Sequence, residues 1–140
     1  MSVDTLQVNG LNSQQGGTKY HVKQQGSGWI ADHGPTTGVL KSFLLIGLFQ
    51  IAAIPAGWEG YVDQQLRTYD SALNDLPNIT CRVWLFWVLA LLQKEVNGCK
   101  VLKCTDLAAL EAEIIAWGNQ NAGSADLNQQ PRPVAASKYL

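Results

Sequence analysis

Charge is what this chain has least of. In 140 residues there are ten Lys+Arg and eleven Asp+Glu, 15% in all, against a usual share of about 25%. The net charge of −1 supplies no basic field to hold a phosphate backbone, so nucleic acid is not an expected partner. Histidine and cysteine are also sparse. Cys81, Cys99 and Cys104 are an odd set in no disulfide framework, and His21 and His33 lie far upstream of them. Structural zinc wants four ligands at close, regular spacing, so no metal site is expected. The cysteines read as small buried hydrophobes or free thiols of a reducing compartment. The first seventeen residues are polar, with neither a basic stretch nor an apolar one. That points away from a secretory signal and towards a virion or the cytoplasm.

Dedicated chemistry is missing as well. Gly26-Ser27-Gly28-Trp29-Ile30-Ala31 has glycine spacing like that of a dinucleotide site, with Ala in third place. Such a string works only where a strand turns into a helix, and the following Asp32-His33-Gly34-Pro35 denies that helix. A flexible loop is expected instead, and no cofactor. Asp32 and His33 are adjacent, which does not set a carboxylate behind an imidazole in the manner of a triad. Glu59, Asp63 and Asp70 share one side of a helical pattern and read as solubilising charges rather than a catalytic pair. No loop with the Lys-Ser/Thr ending of a phosphate cradle occurs. The expectation is a chain that is not an enzyme.

What is present is a central block of apolar sequence between two polar ends. Residues 1–37 are rich in Gly, Gln, Thr and Asn, and 118–140 return to Asn, Gln, Gly, Ser and Pro. In the first part, Thr18 to Gln24 alternates, with Tyr20 and Val22 on one face, so an extended arm with one hairpin is expected. The block at 38–117 has helical periods. Val39 to Ile54 is apolar on nearly all sides and ends at Pro55. Ala56 to Leu76 is amphipathic, with Trp58, Tyr61, Val62, Leu66, Tyr69, Leu73 and Leu76 on one face.

A third helix is expected over Thr80 to Val96, capped by Asn78 or Thr80 and stopped at Asn97-Gly98. Its ten consecutive apolar residues, Val83 to Leu92, call for cover on every side. A fourth is expected from a Thr105 cap with Asp106 in its first turn, buried along Leu107, Leu110, Ile114 and Trp117 and ended by Gly118. The fold class expected is therefore mainly α. It is a compact cluster of about four helices (38–117) with an extended, partly β N-terminal arm (1–37) and a polar C-terminal tail (118–140).

Two functions suit this plan. The first is a non-enzymatic structural or assembly subunit of a large multi-protein particle, such as a virus or phage coat, connector or tail component. Its arms would bind neighbouring subunits, with Tyr20 and Trp29 as the partner-binding anchors, in a homo- or hetero-oligomer. The alternative is a small membrane-associated subunit with residues 39–58 in or on the bilayer. Ser42 to Trp58 is seventeen residues without a charge, at the lower limit for a span, but Gln50 and Pro55 interrupt it.

Overall fold

The structure is a computed structural model that describes residues 6–9, 17–36, 48–127, 129 and 134–140. The described residues form seven strands and three helices: β1 (Leu6–Asn9), β2 (Gly17–Tyr20), β3 (Val22–Gln25), β4 (Gly28–Ala31), β5 (Gly34–Thr36), β6 (Leu48–Gln50), α1 (Glu59–Leu66), α2 (Cys81–Leu92), α3 (Leu107–Asp126) and β7 (Val134–Ala136). The expected mainly α cluster of four helices is thus corrected to a mixed architecture with three small sheets: β1-β2-β5, β3-β4 and the parallel pair β6-β7.

The polar N-terminal region forms the body of the β structure. β2 pairs with β5 and β3 with β4, both antiparallel, and the register of Gly17↔Thr36 runs on unbroken to Val22↔Ala31. Strands β2 to β5 are therefore one long hairpin, Gly17 to Thr36, with a break in the ladder at His21 and His33. Its tip is the two-residue turn Gly26-Ser27, where Gly26 takes φ 63°; glycine first is the sequence a tight hairpin turn of this hand needs. The string resembling a nucleotide fingerprint is thus a turn and a strand. The hairpin also packs inward. Tyr20 and Val22 belong to the same core as Val62, Leu66, Trp84, Leu85, Val88, Leu89, Leu102 and Leu110.

Two of the expected helices formed, one of them with its expected cap. Thr80 Oγ1 accepts from Val83 N at 3.1 Å at the start of α2. Asp106, rather than Thr105, caps α3, its Oδ1 accepting from Ala108 N and Ala109 N at 3.0 and 3.2 Å. α2 ends at Leu92, short of Asn97-Gly98, because the chain folds back over its end: Leu102 N donates to Leu92 O at 3.0 Å and Gln93 Nε2 to Cys104 O at 2.9 Å. Asn97 and Gly98, at φ 51° and 77°, make a separate tight turn between Val96 and Cys99. α3 runs on past Gly118, since Asn121 and Ser124 turn their side chains back onto the Trp117 and Asn121 carbonyls.

The two earlier segments differ more. The described part of Val39 to Ile54 is strand β6 and chain without regular structure; residues 39–47 of that segment lie outside the described residues. β6 finds its partner in β7 at the far end of the chain, and Phe49, Ile51 and Ile54 suit a half-buried strand as well as a helix. Beyond β7, Ser137 N donates to Gln50 O at 2.8 Å, and the Glu113 carboxylate on α3 accepts from Ser137 Oγ and Lys138 N at 2.5 and 2.9 Å. The Ala56 to Leu76 pattern is helical only over α1, followed by turns and a short 3-10 helix at Leu73–Asp75. Among the described residues no helix is long and apolar enough to cross a membrane.

Removing residues 1–37 takes Tyr20 and Val22 out of the core, so the truncated chain is expected to lose its cooperative thermal transition and much of its far-UV helical signal. Retention of both would show that the helices stand alone. Asp106→Ala leaves two helix N–H groups without their acceptor and is expected to lower stability by about 1 kcal/mol in urea denaturation.

Candidate functional site

Part of the charged side of the Ala56 to Leu76 pattern meets the hairpin, while Glu59, Gln64, Arg67 and Asn74 remain exposed. Asp63 Oδ1 accepts from the Tyr20 hydroxyl at 2.6 Å and from Arg67 Nε at 3.0 Å. The Arg67 guanidinium lies 5.7 Å over the Tyr20 ring, a cation–π contact. One turn on, Asp70 Oδ1 sits 3.0 Å from His33 Nε2. Further on, Asn74 bonds the hairpin backbone beside its tip, accepting from Trp29 N at 2.8 Å and donating to Trp29 O at 3.2 Å. A Cβ at Gly28 would stand 3.0 Å from Asn74 Oδ1, so glycine leaves the room for that clamp. Local pattern could not reveal this use, because a helix face with alternating charge reads the same whether water or a strand covers it. The turns that follow α1 bring Asp70 and Asn74 to the hairpin; Thr68, Asp70 and Ser71 are poor helix formers in that stretch.

His33 is the most enclosed polar group of this set, its side chain 2% exposed. The ring lies between Tyr20 (centroids 5.2 Å) and Trp84 (5.9 Å, 27° between planes). Nδ1 accepts from the His21 backbone N–H at 3.2 Å. The network therefore assigns the proton to Nε2, which donates to Asp70. With both nitrogens engaged, the ring offers no lone pair to a substrate, unlike the histidine of a triad. Trp84 is fully buried, and among the described residues its indole N–H meets no acceptor.

Of the two anchors expected from sequence, both lie on the hairpin. Tyr20 is 3% exposed, taken up by this chain's own core, and Trp29 is half-buried and packed against that core. Trp84 and Trp87, three residues apart on α2, are parted: Trp84 is buried and Trp87 lies half-buried on the flank of the helix. There Tyr69, Trp87, Ala90 and Leu91 line a shallow groove of about 360 Å³, with the Tyr69 and Trp87 rings 5.8 Å apart. Among the described residues no three His, Cys, Asp or Glu gather as they would around a metal ion. No family model, no curated protein and no solved structure matches this chain. Its function is therefore read from this geometry.

Burial, and then the Asp63 carboxylate, push the Tyr20 hydroxyl up to about 12 from the ordinary 10.0. The Tyr20 hydroxyl, with Arg67 assisting against some desolvation, holds Asp63 below its ordinary value. A raised folded value means that the neutral phenol favours the fold; that stability is whole below pH 10 and is lost as pH rises towards about 12. For Asp63 the sign reverses, and its contribution is lost as pH falls below its ordinary 3.8. Tyr20→Phe removes a hydrogen bond to a charged group and is expected to cost about 1.5–3 kcal/mol in denaturant unfolding. It should also flatten the alkaline loss of stability; an unchanged alkaline limb would assign that limb to another group.

Proposed function

We propose that this chain is a non-enzymatic assembly subunit, a building block of a large multi-protein particle that packs against copies of itself. The observation that supports this reading is the outer face of α2. Val83, Trp87 and Leu91 are half-buried there and Ala90 is exposed, at i, i+4, i+7 and i+8 on one stripe. No charge interrupts the stripe between Arg82 and Lys94. From Val83 to Leu92 the helix has buried inner residues and an outer stripe that this chain's described residues leave partly open to water. Apolar surface in water is unfavourable by about 25 cal/mol per Å², and a contiguous apolar patch on a folded domain marks a contact face.

The form of the patch supports a protein partner. Two aromatic walls beside the small Ala90 give a projection and a recess on the same surface, which suits a twofold contact in which each Trp87 meets the other copy's Ala90. Scarce charge favours close packing of many copies, because interface cores are depleted of charged residues. Trp29 on the hairpin offers a second half-buried aromatic for a further neighbour. A coat, connector or tail component of a virus or phage is the kind of particle that the low charge density and the Gln- and Asn-rich ends suit.

Ala90 is exposed, so Ala90→Glu places a charge in the groove without touching the core. In light scattering the unaltered protein is expected to form a defined oligomer, and A90E to fall to the 15.3 kDa of one chain with its circular dichroism unchanged. An unaltered chain that stays at 15.3 kDa at every concentration would overturn self-assembly.

A further inference from the structure

The register of the long hairpin sets His21 opposite Asp32 and Tyr20 opposite His33. An antiparallel His21↔Asp32 pair exchanges two bonds, N–H to O in each direction. One is made: Asp32 N donates to His21 O at 2.9 Å. The other is diverted, because His21 N–H goes to the His33 imidazole at Nδ1 (3.2 Å). The ring thus stands in the ladder where the Asp32 carbonyl belongs. It fits there only with Nδ1 bare.

We infer that His33 is an acid-operated latch between the hairpin and the helices. When a proton from solvent binds Nδ1, two N–H donors face each other, and the His21 bond to the ring is lost. The His21 N–H passes to its ladder partner, the Asp32 carbonyl. The ring keeps its bond from Nε2 to Asp70, whose side chain is 27% exposed, and follows it towards solvent, where the imidazolium is hydrated. Leaving its slot, the ring gives up Tyr20 and Trp84, so the middle of the hairpin is uncoupled from α2.

The charged and titratable groups around the ring come from each packed element. The hairpin brings Tyr20 and His21, with Asp32 3.3 Å from His21 Nε2 and Lys23 3.5 Å from Asp32. α1 brings Asp63 and Arg67, and the turn beyond it brings Asp70. α2 contributes only the uncharged Trp84. Enclosure of the ring turns proton uptake into movement rather than a buried charge.

The test is NMR of the full chain over about pH 8 to 5, where imidazoles change charge, following the His33 ring nitrogens, the His21 amide and hydrogen exchange along the hairpin. The expected result is protonation of Nδ1 with a concurrent shift of the His21 amide. Exchange of the hairpin amides, corrected for intrinsic rate, should rise about tenfold, the weight of a lost aromatic contact. His21→Gln keeps the backbone donor and removes the only other imidazole, so the response must survive in it. His33→Asn keeps an acceptor near the position of Nδ1 with nothing to titrate, so the response must vanish. Protonation without a shift of the His21 amide, a ring that stays neutral until the whole protein unfolds, or a response that persists in H33N would each overturn the latch.

Discussion

Because the His21 amide donates to Nδ1 of His33, the ring must carry its proton on Nε2, and only in that state can it donate to Asp70. That one imidazole ties together three parts of the chain that are distant in sequence: the hairpin, the turn after α1 and, by stacking on Trp84, helix α2. Tyr20 repeats the arrangement one strand over, with its ring in the core, its hydroxyl on Asp63 and Arg67 across its face. A hairpin of this size is marginal by itself. These two aromatic side chains, with Val22, dock it onto the helices, and the core closes around them.

Scarcity of charge makes the placement of each charged group more telling. Asp63, Arg67 and Asp70, spaced along α1 and its following turn, hold the hairpin, and Glu113 on α3 holds the C-terminal residues through Ser137 and Lys138. Arg82 and Glu111 join α2 to α3. Many of this protein's few charges therefore fasten one element to another. An uncharged face meets another protein without the cost of stripping water from ions. The open stripe on α2 is one such face. Depletion of charge inside the fold and the apolar groove outside it are two results of the same composition.

Some elements were legible in the residues alone. α2 could be read from its ten apolar residues and Thr80, α3 from its stripe though not from its true cap, Asp106, and the alternation around Tyr20 and Val22 as a strand with one inward face. Gly118 misled because a glycine in a helix and a glycine after one look alike. The charged side of α1 misled because solvated and strand-covered faces have the same composition. Trp84 and Trp87 share a sequence spacing, yet only packing decides which of two neighbouring indoles is enclosed.

Helices depend largely on contacts within a few residues, so the amino-acid sequence by itself marked α2 and α3, whereas Gly26-Ser27 read as a flexible loop until its strands were paired. Strand β6 depends on β7 at the opposite end of the chain, the shortness of α1 on side chains that leave it for the hairpin, and the tautomer of His33 on a backbone amide twelve residues away. Each of those is a pairing between distant segments. Tertiary structure decided them, because the energy that selects them exists only once both partners are in place.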